Sequence, residues 1–179
     1  GRVTVVASGL LARIVSFLFG RPASPASTAP PIAPGIEPGR TGTTATVAMA
    51  PPGRKDLRIT YAPSRDGDPD GGEIIWTWVP YAENDGRGKD RPVLVIGRRD
   101  ATSVYAIKLT SKPKDRNRDF ILLGTGPWDQ QGRPSWLDVD QLYVVHHDGM
   151  RREAAALDAD RFARVAQVLH KRYGWAVGE

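Results

Sequence analysis

Short runs of β-branched and aromatic residues, divided by glycine, proline and charged turns, fill residues 58–145. Helical spacing of apolar positions occurs only near the two ends of the chain. Residues 73–80 (EIIWTWVP) read as a strand closed by a proline. A polar loop, 81–90, follows, with Gly86 and Gly88. Residues 91–97 are a second strand, in which Pro92 sits near the start, where a missing N–H costs no ladder bond. Arg98, Arg99 and Asp100 make a turn into a third strand, 104–110, so these two strands predict a hairpin. A basic loop, 111–119, leads to a fourth strand, 120–123. After a loop at 124–134 come one or two more, at 135–139 and 141–145. Upstream, 58–61 is a short strand and 65–72 (RDGDPDGG) is turn chemistry.

At the C-terminus, Phe162, Val165, Ala166, Leu169 and Tyr173 form one apolar stripe at helical spacing. Asp158 or Asp160 caps its start, Lys171 and Arg172 suit the negative end of the helix dipole, and Gly174 stops it. Near the N-terminus Leu11, Ile14, Val15 and Leu18 repeat the pattern, with Ser8 before them and Gly20 and Pro22 after. This predicts a short amphipathic helix within 1–20, suited to docking on the protein itself or a partner. The apolar stretch is too short and, at Arg13, too interrupted for a membrane span, so any membrane contact is loose. A signal-type apolar region is the alternative, but no small-residue cleavage site follows closely. Residues 21–53, rich in Pro, Gly, Ala and Thr, read as a disordered linker. The prediction is therefore one domain over 54–179, mainly β with a C-terminal α-helix, as a small barrel or strongly bent sheet.

Charge and composition narrow this reading. The formal net charge is +5, but residues 1–50 hold four arginines against Glu37 alone, so the body is only mildly basic. Global charge is thus a weak argument for nucleic acid, and a local cluster is a better one. The absence of cysteine excludes disulfides, thiolate zinc sites and a cysteine nucleophile, and suits a reducing, cytoplasmic setting. No nucleophile elbow, phosphate-binding loop or dinucleotide fingerprint occurs. His146 and His147 are adjacent, and on a strand they point opposite ways, so a turn fits better than a shared metal ion.

The hairpin carries the candidate chemistry. The start of one strand lies beside the end of its partner, so Arg91 and Thr110 meet at one edge, near Lys89, Lys112, Lys114, Arg116 and Arg118. A guanidinium, a hydroxyl and mobile lysines are the parts that hold a phosphodiester and stabilise its charged transition state. Charged strand ends are equally what an ordinary solvated edge displays.

Four segments in order resemble the PemK/MazF toxins. They are Gly72-Glu73-Ile74-Ile75-Trp76, then Gly88-Lys89-Asp90-Arg91-Pro92-Val93-Leu94-Val95-Ile96, then Leu109-Thr110-Ser111-Lys112, and finally 135–145 (SWLDVDQLYVV) with the closing helix. The likeness spans about residues 70–175. The string from Trp76 to Tyr81, with Gly88 to Pro92, resembles a PemK-like branch with Pro-rich N-terminal extensions. The resemblance implies an SH3-like barrel of the CcdB/MazF type and metal-independent cleavage of single-stranded RNA, with no cofactor. The ribose 2′-hydroxyl attacks the adjacent phosphorus, leaving a 2′,3′-cyclic phosphate and a 5′-hydroxyl. It assigns catalysis to Arg91 and Thr110, assisted by Ser111, and phosphate binding to Lys89, Lys112, Lys114 and Arg116. Trp76 and Trp78 read as core or interface. An antitoxin and a second copy of the chain are the implied protein partners. Glu83 and Asp85 place negative charge near the proposed site, and the loop at 124–134 is enlarged. A catalytically silent RNA- or protein-binding module on the same fold is the alternative, and an unrelated small barrel would separate Arg91 from Thr110.

Overall fold

The fold is organised by strands that are apolar on both faces. The computed structural model describes residues 37–178, all within one compact unit, Pro34–Glu179. The expected N-terminal helix and the first part of the linker lie outside the described residues. In chain order the strands are β1 (Val47–Met49), β2 (Arg58–Ile59), β3 (Glu73–Pro80), β4 (Gly88–Arg98), β5 (Ser103–Thr110), β6 (Phe120–Gly124), β7 (Ser135–Asp138), β8 (Leu142–His146), β9 (Met150–Ala156) and β10 (Ala176–Val177). Among the described residues one α-helix, α1 (Ala159–Tyr173), precedes β10. The main sheet runs β1-β8-β5-β4-β3-β9, with β7 joined to the far end of β5 and β6 paired to β7. Every pairing in it is antiparallel, while β10 and β2 form a separate parallel pair.

Alternation sends the central residues to two cores. Val93 and Val95 join Ile75, Val79, Val104, Ala106, Tyr143 and Val145 on one face. Leu94 and Ile96 join Ile74, Ile107, Leu109 and Leu142 on the other, packed with Phe162, Val165, Ala166 and Leu169 of α1. A strand buried on both sides needs no polar positions, which is why 93–96 is an unbroken apolar run. The helix starts at Asp158, whose side chain accepts from the Arg161 N–H, and ends at Gly174, held at φ 76°.

The sheet curls until its ends meet. Thr46, just before β1, shares a 2.8 Å hydrogen bond with Thr77 of β3, and Thr77 Oγ1 also donates to the Gly149 carbonyl at 3.2 Å. No backbone ladder joins β1 to β9, so the described residues form a curled open sheet and not a closed barrel. Other elements differ from the sequence reading. Residues 37–53, assigned by composition to the linker, include β1, paired to β8 from Val47↔Val144 to Met49↔Leu142. Strand β4 begins at Gly88 and not at 91, because β3 supplies partners as far as Pro80↔Gly88. Residues 150–156 form β9 along β3, a strand that the sequence MRREAAA did not announce. Among the described residues no helix is long and apolar enough to cross a membrane.

Candidate functional site

The hairpin brings its two ends together through its register. In the β4–β5 ladder Val93 lies opposite Lys108, and two further steps along that register set Arg91 opposite Thr110. The ladder itself stops at Val93, because β5 there turns to β7 and pairs Leu109↔Leu137 and Thr110↔Trp136. The stretch Gly88 to Pro92 is left paired to β3 alone. Pro92 therefore lies beyond the end of the β5 ladder, where a lost N–H is tolerated. A cleft of about 150 Å³ opens at this parting, and Lys89, Arg91, Thr110 and Ser111 all line it. The loop 124–134 supplies its far side through Trp128, Asp129 and Arg133.

Local bonds hold these groups in place. Thr110 is buried, and its Oγ1 accepts the Lys112 backbone N–H at 3.2 Å. That bond uses a lone pair and leaves the hydroxyl hydrogen available for donation. Trp128 is buried under the loop, with Nε1 donating to Ser135 Oγ at 2.9 Å and the Arg161 guanidinium 5.3 Å from its ring centre. Asp129 accepts from Gln131 N at 2.8 Å and from Arg133 Nε at 2.9 Å. The loop is thus pinned at its root, and Arg133 is tethered at the cleft.

The cleft is cationic. Arg91 first, then partial burial, then Lys112 and Arg133, push the Lys89 ammonium below its ordinary pKa. Lys89, Arg91 and Arg133 line the cleft together, and Lys112 lies close enough to act on Lys89. Of the two carboxylates on the cleft wall, Asp129 is engaged by Arg133 and Asp90 lies 3.5 Å from Arg151 Nε. Behind the cleft, Lys108 and Asp138 are 3.6 Å apart. The Tyr143 hydroxyl is pushed up to about 12, by burial above all and by Asp138, with Arg91 opposing.

The other sequence-predicted residues are placed less centrally. Lys112 is exposed, near enough to Lys89 to act on it. Lys114 sits with Nζ 4.9 Å from the Phe120 ring centre, and Arg116 is exposed on a turn at φ 61°. Neither lines the cleft. Glu83 and Asp85 do not line it either, and Asp85 accepts from Arg87 Nε at 2.8 Å. Trp78 is buried, as read, but Trp76 is only half-buried and reaches the cleft wall. His146 and His147 lie at a turn, His146 Nδ1 accepting from the Asp148 N–H. Among the described residues no cluster of His, Cys, Asp and Glu is placed to hold a metal ion. The sequence reading missed Trp128, Asp129 and Arg133. Their only signal was an unusually long loop, and which of its side chains turn inward is decided by packing.

Comparison with known proteins converges on one family. The model of the PemK-like, MazF-like toxin of type II toxin-antitoxin systems matches residues 70–172, over half of the chain. No curated protein matches. Solved structures similar to the chain include an endoribonuclease in complex with its cognate antitoxin from a mycobacterial species. It is 14% identical, with a TM-score of 0.46, over 59% of this chain and 95% of that one. They also include a MazE-MazF structure from Deinococcus radiodurans, 22% identical with a TM-score of 0.46, over 60% of this chain and 98% of that one.

Proposed function

We propose that this chain, which belongs to the PemK-like, MazF-like toxins of type II toxin-antitoxin systems, is an endoribonuclease that cleaves single-stranded RNA at the Arg91–Thr110 cleft. The observation that carries the reading is convergence. Lys89 and Arg91 of β4, Thr110 at the end of β5 and Ser111 just after it line one cleft whose cations repel one another. A cluster of unsatisfied positive charge is stabilised by an anion, and a phosphodiester supplies one. In the reaction, the ribose 2′-oxygen bonds to the adjacent phosphorus while the bond from phosphorus to the 5′-oxygen breaks. The 2′-hydroxyl proton ends on the leaving 5′-oxygen. Arg91 balances the charge that grows on the phosphorane, and Thr110 donates to a non-bridging oxygen. Ser111 offers a second donor. Arg91 is a poor base, since a guanidinium keeps its proton, so its part is electrostatic. Lys89 and Lys112 hold the scissile and next phosphates, while Lys114 and Arg116 meet phosphates further out.

An antitoxin segment and a second copy of the chain are the protein partners we propose. The cationic cleft suits an acidic segment as well as it suits RNA.

The test is incubation of the purified protein with mixed-sequence single-stranded RNA in EDTA, beside Arg91→Ala. Discrete products with cyclic-phosphate ends, lost in the variant, are expected. No cleavage by a folded sample, or equal cleavage by both proteins, would reject the catalytic reading and leave a binding module.

A further inference from the structure

The cleft continues into a second hollow, of about 220 Å³, formed by the same loop. The two spaces share Trp76, Trp128, Asp129 and Arg133, and the second adds Gln130, Gln131 and Arg152. Three observations give it a chemical character. First, the Arg152 guanidinium lies 4.9 Å from the Trp76 ring centre, and Arg152 itself is exposed. A planar cation backed by an indole is a stacking platform for a nucleobase. Second, Trp76 is half-buried and lines both spaces, so its ring fixes the platform at the junction of the cleft and the hollow. Third, its cationic groups, the Arg133 and Arg152 guanidiniums, are donors only, beside the Gln130 and Gln131 amides, which both donate and accept. Asp129, the one carboxylate, is already bound by Arg133 Nε and Gln131 N. That bond uses Nε and leaves the remaining N–H groups of the guanidinium for a ligand.

We propose that this hollow is a base-selecting subsite, which takes the unpaired base next to the cleaved phosphodiester and prefers guanine. The proposal rests on the RNA-cleaving reading of the adjoining cleft and deepens it. Guanine presents two neighbouring acceptors, O6 and N7, which match a guanidinium fork. Adenine sets a donor beside N7, and cytosine offers a donor at the corresponding edge, so both set a donor against the Arg133 guanidinium. The base stacks on the outer face of Arg152, and Arg133 reads its acceptor edge. The loop 124–134 thereby sets which RNA sequence is cut, separately from the groups that carry the chemistry.

Binding tests this without any need for cleavage. The probes are short oligonucleotides with a 2′-deoxy sugar at the central position, which removes the attacking hydroxyl, and with G, A, C or U beside it. Titration of the whole protein should give roughly tenfold tighter binding for G, the size of one good bidentate contact. Arg133→Ala should reduce that preference to less than about twofold while binding to all four probes persists. Arg152→Ala, which removes the stacking surface, should weaken binding of all four probes. Near-ultraviolet circular dichroism checks that both variants stay folded. Equal affinity for the four probes, no measurable binding, or a G preference unchanged in Arg133→Ala would overturn the subsite. An outcome with G-selective binding but no cleavage of ordinary RNA would instead keep the subsite and reject the catalytic reading.

Discussion

At the scale of single residues, Thr110 and the lysines differ in what they contribute. Thr110 is buried and its acceptor side is used by the Lys112 N–H, so its remaining capacity is donation. Thr110→Val keeps the volume and removes the donor. Single-turnover cleavage should fall by about 10²–10³, the usual loss for one transition-state donor. RNA affinity should change little. A loss of affinity without a loss of rate would remove Thr110 from the chemistry. The lysines should show themselves through salt. Lys89 sits in the cleft, whereas Lys114 turns toward Phe120. Each phosphate contact on a single strand contributes about 0.7 to the slope of log affinity against log salt. Lys89→Ala should lower that slope by about 0.7 and Lys114→Ala by less. Equal effects would mean that the basic loop, and not the cleft, holds the backbone. These two roles show how far the residue scale was readable. Arg91 and Thr110 were legible because a hairpin register follows from two strands and a short turn. The placement of Arg133 and Trp76 at the cleft was not, since it depends on how the loop 124–134 folds back.

At the scale of elements, the β4–β5 turn shows local chemistry fixing a register. Asp100 accepts from Thr102 N at 2.9 Å and from Ser103 Oγ at 2.8 Å. These bonds favour the charged form and hold its carboxyl at about 2, below the ordinary 3.8. Because the folded pKa is depressed, the stabilisation is complete above 3.8 and fades as pH falls through 2. Asp100→Ala should therefore lower Tm at pH 7, and the gap from the wild type should narrow between pH 4 and pH 2. A gap that is constant across that range would show that the carboxylate charge does not matter. Turn chemistry of this kind is written in the sequence, and β3, β5 and α1 were read from it nearly to the residue. The strands that escaped are those without a pattern. β9 reads MRREAAA, and its side chains are mostly half-exposed, so no alternation marks it. It is a strand because β3 offers an open edge. β1 is three residues long in a segment rich in proline and threonine, and β8 makes it a strand.

At the scale of the whole molecule, the segment from Thr46 to Arg54 acts as a strap across the domain. Thr46 bonds Thr77, β1 covers the edge of β8, Gln141 Nε2 donates to the Met49 carbonyl at 3.1 Å, and Trp175 Nε1 donates to the Pro52 carbonyl at 3.1 Å. Composition placed residues 46–53 outside the domain, so a chain shortened to 54–179 would look complete from sequence. Its loss has a calculable direction. Trp175 is 1% exposed, and loss of the strap would exchange its bond to the Pro52 carbonyl for one to water and uncover its apolar ring, at a cost of about 1–3 kcal/mol. The edge of β8 would lose its ladder and become a template for pairing between molecules. A chain of 54–179 should therefore melt roughly 10 °C below one of 37–179, the shift that a few kcal/mol produces in a domain of this size. It should also show concentration-dependent association in sedimentation velocity. The cleft itself lies outside the strap, since none of residues 46–54 lines it. The shortened chain should therefore still cleave RNA, below its melting temperature, wherever the longer one does. Equal melting temperatures for the two chains would mean that the strap merely lies on the domain, and the boundary read from composition would then be the physical one.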